Sequence, residues 1–591
     1  MKNYPSGKAV PHLLIILCIL YVGVFFLNSF SYPLVLAPQL DAKENLILSQ
    51  QIDSGNLPKE PYYRALLYPL SLSLIEPAEL RPLLGSVLGI LCHLLNGWLT
   101  YAIAWRIWKS RMAATVGACL YLVNPASLLF SLLLLDMTPA LSLFLLAILS
   151  LLKDRKGISP YLLSGLLGGL AVLARPHFLP AVLMLPVFCL ILQKRLEWKA
   201  FSAWLPLSLI LITHGLLNLQ HSGEFRILPW QGAYNLWAAN KSGANGLYFK
   251  QSVNLSNRGN EDNPTKVESI YLYGTDHPEI APPYSVHEMN EYWRGKFSHR
   301  LIESPVQVIR LWMFKGYAVF NSFEQYNNIT FSFHKSSLPL LKYNPVNWGI
   351  LLILGALGLF HLFRKHPHSA ASLLFVFLAY SAILILFFAS ARFRLPLVPF
   401  LAVMAGGIPV WLPELWHSRK NLIPSILLVI TTGCIAYSSF AGIRNTDTYI
   451  QDRLLLANAH ADMGQDFPAA DWARKVLAES PGRTEAQRIY TISYFNLRIT
   501  GNLKYAEFGN WEDQQGWVEL SSTSDPALAT IYGFYQWHWG NKDSAMAVWR
   551  QIKQHNPGQA GIASTALHVI DSETGEFTEE QMIIHRLLND N

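Results

Sequence analysis

Four short segments place acids or arginines beside apolar stretches, where such residues could do chemistry. Two of them supply acids: Asp41 follows the first apolar segment, and Asp136 precedes a later one. A carboxylate at a membrane surface is costly unless it is paired or has a function. Asp41 could accept a proton from an acceptor hydroxyl or orient an acceptor amine, or it could end a helix or pair with Lys43. Asp136 could stabilise a helix dipole as an acid at the N-terminus of a helix.

The other two segments supply arginines that could bind a phosphate. The stretch SARFRLPLVP contains Arg392 and Arg394 at the start of a late apolar segment. Arg175 lies in an Ala-Arg-Pro-His turn. Guanidinium groups at a helix N-terminus form paired hydrogen bonds with phosphate oxygens. The alternative is an interfacial arginine that only extends its charged end into water.

The elements that must position these residues are membrane helices. The chain has 591 residues, of which 51% are hydrophobic and 14% charged, a composition typical of polytopic membrane proteins. Eleven apolar runs are long enough to cross about 30 Å of hydrocarbon as helices. They begin near residues 11, 83, 112, 134, 160, 178, 201, 347, 370, 393 and 422. All five cysteines lie inside apolar segments, which argues against a disulfide framework.

Lysines and arginines cluster in alternate connections, which sets the predicted orientation. By the positive-inside rule the N-terminus is cytoplasmic, and loops 31–82 and 220–346 and all residues after about 440 face outward. Arg392 and Arg394 then lie on the outer side, against this rule, which favours phosphate binding over a purely topological role. The length of loop 220–346 indicates a lid or a binding surface.

After residue 443 the composition becomes polar, and a repeat is visible. A glycine is followed five positions later by alanine and, in two copies, seventeen positions later by proline. The members are Gly464, Ala469 and Pro481; Gly540, Ala545 and Pro557; and Gly501 with Ala506. These offsets match tetratricopeptide repeats, which stack as helical hairpins. The sequence therefore predicts an α-solenoid over residues 444–591.

Taken together, the pattern resembles the GT-C glycosyltransferases, especially protein mannosyltransferases and lipid A aminoarabinose transferases. The resemblance rests on Asp41 after the first span, on Gly55, on the segment from Arg64 to Pro69, and on the Arg-Phe-Arg motif at Arg392, where tyrosine is more usual than Phe393. It covers residues 1 to about 440. It implies an all-α polytopic bundle that moves a sugar from a polyprenyl-phosphate donor to an acceptor outside the cytoplasm, with inversion.

The resemblance also implies roles for individual residues. Asp41 would act as base, and Asp136 would lie beside it as a second catalytic residue that binds a metal or tunes Asp41 by like-charge coupling. Donor phosphate would bind to arginines. The phosphate-binding candidates are Arg392, Arg394 and Arg175, and the substrate-binding candidates are Glu44, Lys43, Tyr62, Tyr63 and Arg64. No cofactor is certain; a divalent metal, if bound, would be held by Asp41 and Asp136. No nucleotide-binding motif is visible, which favours a lipid-linked donor.

The sequence thus predicts a membrane glycosyltransferase domain at 1–443 and an extracytoplasmic repeat domain at 444–591. Expected partners are the lipid-linked donor, membrane lipids and an acceptor or protein bound by the repeats, with no nucleic acid. A bacterial inner membrane with the repeats in the periplasm is favoured, or the endoplasmic reticulum membrane and lumen in a eukaryote. The acceptor could be a protein, a lipid or a polysaccharide. The alternative is a non-catalytic membrane-anchored scaffold for envelope polymer or protein assembly.

Overall fold

The described part of the chain is all-α. The computed structural model describes residues 9–152, 157–194, 197–249, 252–253, 263–417, 421–443, 449–499, 526–538 and 540–555. Helices are the only regular secondary structure in these ranges. The chain divides into two compact units, with the main division between residues 445 and 446.

Twelve α-helices are described in the first part of the first unit. They are α1 (Ala9–Ser29), α2 (Pro33–Leu36), α3 (Asp41–Asp53), α4 (Leu67–Ser73), α5 (Arg81–Trp108), α6 (Arg111–Leu122), α7 (Pro125–Leu132), α8 (Met137–Leu151), α9 (Ser159–Ala174), α10 (Leu179–Leu183), α11 (Leu185–Gln193) and α12 (Trp204–Ser222). The short helices α3 and α4 belong to the first predicted outward loop.

The described residues of the second predicted outward loop form six α-helices, and five apolar α-helices are described after it. The loop helices are α13 (Gln231–Ala238), α14 (Pro264–Asp276), α15 (Val286–Glu303), α16 (Pro305–Phe320), α17 (Phe331–Ser337) and α18 (Pro339–Lys342). The apolar helices are α19 (Trp348–Lys365), α20 (Pro367–Leu386), α21 (Val398–Ala405), α22 (Ile408–His417) and α23 (Leu422–Tyr437). Buried aromatic residues such as Trp230, Tyr234 and Trp293 form a small core that joins α13 to α15.

The prediction of a polytopic helical membrane protein is confirmed, and each of the eleven predicted segments coincides with apolar helix. In the described ranges, six helical segments are long and apolar enough to cross a membrane. Two further segments, α6 with α7 and the stretch from Leu395 through α22, are bent by 54° and 46°. Three apolar helices, α8, α9 and α23, are shorter than an ordinary span.

Some spans approach so closely that only glycine fits between them. A Cβ atom added at Gly358 of α19 would lie 1.8 Å from the carbonyl oxygen of Met404 in α21. Dense packing of this kind holds membrane helices together through van der Waals contact. Helix α21 starts just after Arg392 and Arg394. Its contact with α19 therefore also fixes the position of those arginines along the helix bundle.

The second unit contains helical hairpins. Its described helices are α24 (Ile450–Asp462), α25 (Asp466–Glu479), α26 (Thr484–Ile499), α27 (Pro526–His538) and α28 (Lys542–His555). Gly464 (φ +67°) and Gly540 (φ +85°) occupy the turns of two hairpins, in a conformation that glycine adopts easily. Ala469 and Ala545 are fully buried in a hydrophobic cluster shared by all five helices.

These features agree with stacked hairpins, and the tetratricopeptide assignment itself stays a prediction. The middle copy at Gly501 and Ala506, and Pro557 of the last copy, lie outside the described residues.

Candidate active site

Asp41 begins α3, directly after a residue with an unusual backbone conformation. Leu40 has φ +52° and ψ −129°, a region that residues with a side chain rarely adopt and that costs about 1–3 kcal/mol. Asp41 and Glu44 both lie in the first turn of α3, where the helix dipole favours negative charge. Asp41 therefore begins a helix rather than ending one, and its carboxylate also has specific partners.

The Asp41 carboxylate lies between two guanidinium groups. Arg64 Nη1 is 2.9 Å from Asp41 Oδ1, and Arg392 Nη1 is 2.7 Å from Asp41 Oδ2. Burial alone would raise the pKa of the Asp41 carboxyl, but the charges of Arg64 and Arg392 outweigh it and hold that pKa well below its usual range. Asp41 is therefore ionised at neutral pH, and it is a weak base while both arginines stay in place.

Glu44 shares Arg64 with Asp41 and connects the first loop to α14. Arg64 Nη1 is 2.5 Å from Glu44 Oε2, and Asn263 Nδ2 donates to Glu44 Oε1 at 2.8 Å. Asn263 caps the N-terminus of α14. The long outward loop thus contacts the acidic cluster through its own helix start. Lys43, on the other side of α3, is exposed.

A second ion pair joins Asp136 to Arg175. Only 6% of Asp136 and 5% of Arg175 is exposed, and the two side chains form a salt bridge. Asp136 immediately precedes α8, and α9 stops before Arg175 because the residue before a proline disfavours helical geometry. Both residues therefore stand where helices begin or end, as the sequence indicates.

Phe393 connects the two ion-paired groups. Its ring centroid lies 5.0 Å from Arg175 Cζ and 5.1 Å from Arg392 Cζ, and the His177 ring stacks on it at 5.1 Å. Cations are attracted to an aromatic face at such distances. Arg392 also interacts electrostatically with Arg175 and Asp136. Sequence reasoning does not identify Phe393 as a site residue, and it offers His177 only as one of several outward histidines that could join a metal site.

Arg394 has different partners from Arg392. It is 1% exposed, and it donates to the carbonyls of Asn321 at 2.5 Å and Phe323 at 3.0 Å and to the Glu324 carboxylate. Its Cζ also lies 4.6 Å from the Trp348 ring centroid. These carbonyls follow the C-terminus of α16, where a cation is favourable. Arg394 therefore fixes the end of α16, whereas Arg392 joins the cluster around Asp41.

The two tyrosines have supporting positions. Tyr62 is 4% exposed and packs against the His221 ring at 4.5 Å, so it attaches the first loop to α12. The Tyr63 ring contacts Trp230 at 4.7 Å. Burial and the nearby Glu44 charge raise the pKa of Tyr63. Tyr63 therefore borders the charged cluster as a neutral phenol, and Tyr62 stands behind it.

The cluster as a whole is charge-balanced. It contains three carboxylates and three guanidinium groups, those of Asp41, Glu44, Asp136, Arg64, Arg175 and Arg392. A phosphate that bound to these arginines would have to displace carboxylates from them. The arrangement can therefore exchange an internal carboxylate for an external anion.

A divalent cation at Asp41 and Asp136 would have to displace the arginines that pair with them. Asp41 and Asp136 each face a guanidinium group, and that positive charge repels a metal ion. Across the described ranges, no three His, Cys, Asp or Glu side chains lie close enough together to hold a metal. The carboxylates that the metal hypothesis requires are held by arginine instead.

Comparison with known proteins gives distant structural likenesses only. No family model matches the chain, and no curated protein matches it. Among solved structures, the apo oligosaccharyltransferase of Archaeoglobus fulgidus aligns with 86% of this chain and 60% of its own, at 14% identity and a TM-score of 0.41. The archaeal oligosaccharyltransferase AglB from Archaeoglobus fulgidus, in complex with an inhibitory peptide and a dolichol-phosphate, aligns over the same shares at 13% identity and a TM-score of 0.38. The Archaeoglobus fulgidus oligosaccharyltransferase in complex with Zn and sulfate covers 76% of this chain and 56% of its own, at 14% identity and a TM-score of 0.36. The chain thus spans about three fifths of the length of these enzymes.

Proposed function

We propose that this chain is a GT-C-type membrane glycosyltransferase that moves a sugar, a hexose or pentose, from a polyprenyl-phosphate donor to an extracytoplasmic acceptor. The observation that supports this best is the contact between Asp41 and Arg392, at 2.7 Å. These residues lie far apart along the sequence of the membrane unit, yet they form one cluster with Arg175 and Asp136. A base candidate and two cations beside one another match what transfer from a lipid phosphate requires.

The donor phosphate binds to Arg392 and Arg175 in this proposal. Both guanidinium groups lie about 5 Å from the Phe393 ring centroid, and in this proposal one phosphate contacts both while the sugar extends towards Asp41. Arginine suits this task because it stays charged and forms bidentate hydrogen bonds with phosphate oxygens. The sequence pattern groups Arg394 with these phosphate-binding arginines. We assign it a positioning role instead, because it holds the segment that carries Arg392.

Donor binding then increases the basicity of Asp41. When the donor phosphate pairs with Arg392, the Asp41 carboxylate loses one of the two cations that depress its pKa. Asp41 can now accept the proton of an acceptor hydroxyl. The acceptor atom bonds to the anomeric carbon from the face opposite the phosphate, the bond to the phosphate oxygen breaks, and polyprenyl phosphate leaves with inversion of the sugar. The arginines stabilise its growing negative charge.

The repeat unit suits the recruitment of an acceptor or of a protein that delivers it. Stacked helical hairpins form extended binding surfaces. The acceptor, whether protein, lipid or polysaccharide, would reach Asp41 from the side of the first loop and α14, whose Asn263 contacts Glu44.

The test is mass spectrometry of lipid-linked sugars and extracytoplasmic glycans. Cells express wild type, Asp41→Asn, or the control Glu79→Gln, which removes an exposed acid from the same loop, at matched protein levels. We expect Asp41→Asn to abolish one sugar-bearing species and to accumulate its lipid donor, and Glu79→Gln to match wild type. If Asp41→Asn also matches wild type while removal of residues 444–591 produces a phenotype, the chain is a membrane-anchored scaffold and the enzyme proposal is wrong.

A further inference from the structure

His177 lies beside the charged cluster, and the mechanism above gives it no role. Its ring stacks on the Phe393 ring with centroids 5.1 Å apart, and it meets the Phe387 ring at 5.8 Å. The side chain is half-buried. Its two ring nitrogens have no hydrogen-bond partner among the described residues. Polar atoms in packed regions of a protein are usually paired, so the free edge of this imidazole indicates a missing partner.

The arginines that we assign to the donor phosphate surround the same aromatic ring. Arg175 Cζ and Arg392 Cζ lie 5.0 Å and 5.1 Å from the Phe393 ring centroid, and His177 interacts electrostatically with both arginines. An imidazole has at least one N–H donor in either charge state. Three side chains that can donate to an anion therefore meet at Phe393.

Other buried atoms of this region are also hydrogen-bond donors without partners. Within the described structure they include Arg175 Nε, Arg392 Nε and the hydroxyl of Tyr380. Tyr380 interacts electrostatically with Arg175 and Asp136. None of the buried unpartnered atoms in the described ranges is a carboxylate oxygen of the charged cluster. Water donates as well as accepts, whereas a phosphate oxygen accepts several hydrogen bonds, so this surplus of donors fits an anion.

We propose that His177 is a third ligand of the donor phosphate and donates a ring N–H to it beside Arg175 and Arg392. The contacts with Phe387 and Phe393 restrict rotation of the imidazole, and Pro176 restricts the backbone next to it. The N–H is thereby held in place before the phosphate arrives. This inference rests on the proposed function, since it requires a phosphate at the two arginines.

Two substitutions separate a phosphate ligand from a residue that only packs. His177→Phe keeps an aromatic ring between Phe387 and Phe393 and removes both ring nitrogens. His177→Gln keeps an N–H donor and removes the ring. A packing residue should tolerate phenylalanine better than glutamine, and a phosphate ligand should show the opposite order. The control is His299→Gln, which removes an exposed histidine of α15 that pairs with Glu303.

The measurement is binding of farnesyl phosphate to the full-length protein in phosphatidylcholine nanodiscs, by isothermal titration calorimetry. Farnesol is the matched ligand without phosphate, empty nanodiscs correct for partitioning into lipid, and thermal unfolding verifies that each variant is folded. We expect His177→Phe to raise the Kd for farnesyl phosphate about tenfold or more, the usual effect of losing a hydrogen bond to a charged group. His177→Gln should retain most of the affinity, and His299→Gln should match wild type.

The order of the two affinities decides the question. If folded His177→Phe binds farnesyl phosphate as tightly as His177→Gln or more tightly, His177 is a packing residue and the inference is wrong. If only one of the two variants folds, wild-type affinity in His177→Phe, or a tenfold loss in His177→Gln, has the same meaning.

Arg392→Gln distinguishes this failure from a failure of the proposed function. If Arg392→Gln weakens binding while the His177 variants show the packing order, only the inference about His177 is wrong. If wild type binds farnesyl phosphate no more tightly than farnesol, or if Arg392→Gln binds like wild type, the phosphate site itself is wrong and the inference fails with it.

Discussion

At the scale of single residues, the site depends on how each carboxylate is paired. Asp41 contacts two arginines, and one of them, Arg392, is 3% exposed. Removing one member of a buried ion pair leaves the other charge uncompensated, which costs more than the intact pair contributes. A loss of function in a variant of Asp41 must therefore be separated from a loss of stability.

The double variant Asp41→Asn with Arg392→Gln makes this separation. Asp41→Asn alone should destabilise the protein by on the order of 3 kcal/mol, because Arg392 is left buried and unpaired. Adding Arg392→Gln should recover most of that stability without restoring transfer. Thermal unfolding in nanodiscs and a transfer assay provide the two readouts. Additive losses of stability in the double variant would contradict the pairing.

A second residue-scale prediction concerns pH. The depressed pKa keeps Asp41 ionised below its ordinary value of 3.8, so the stability that its ion pairs contribute is fully present above that pH and declines as the pH falls from there towards the depressed pKa. In wild type, kcat/KM should show no acid limb from Asp41 near that value. Arg64→Gln removes one cation and raises the pKa of Asp41, so an acid limb should move to higher pH.

Lys43→Gln is the matched control for the pH profile. It removes a nearby cation that is exposed and therefore screened by water. Its profile should coincide with that of wild type. If the kcat/KM profile of Arg64→Gln shows no acid limb at higher pH than the profile of wild type, Asp41 is not the titrating group.

At the scale of helices, the arginine segment is held at both ends by packing. Arg394 anchors it to the end of α16, and α21, which follows it, packs against α19 through Gly358. The two arginines of this motif therefore have separate roles. Arg392 pairs within the charged cluster, and Arg394 binds the end of α16.

Gly358→Ala should destabilise the membrane unit and weaken activity. Its Cβ would lie 1.8 Å from a backbone oxygen that cannot move freely, and overpacking of this kind costs about 1–3 kcal/mol. Gly433→Ala in α23 is the control, because its nearest neighbour is 3.9 Å away. That change should be neutral or stabilising by up to about 1 kcal/mol through helix propensity. Equal thermal midpoints for the two variants would contradict the close approach of α19 and α21.

At the scale of the whole molecule, the chain consists of two units with separate cores. The cluster that contains Ala469 and Trp549 is built only from the second unit, whereas the charged cluster is built only from the first. The chemistry and the repeats are therefore separable in principle.

A chain that ends at Ile443 should retain the membrane fold and the donor site. We expect its thermal midpoint to stay close to that of the full chain and its affinity for a polyprenyl-phosphate sugar to be unchanged, while transfer to the natural acceptor falls. Binding of a short-chain donor analogue and transfer assays measure this. Loss of donor binding in a correctly folded truncated chain would show that the repeats are part of the donor site.

The apolar runs, the helix ends at Asp41, Asp136 and Arg175, and the repeat glycines follow from the sequence, because hydropathy, prolines and glycines act over a few neighbouring residues. The pairing of Asp41 with Arg64 and Arg392 does not, since it joins segments far apart along the chain. The different partners of Arg392 and Arg394 do not follow from the sequence either, because two side chains that leave one turn in different directions contact different helices. The stacking of His177 on Phe393 is likewise a tertiary property: its place beside Arg175 is visible in the sequence, but only the folded chain brings its ring against the arginine motif.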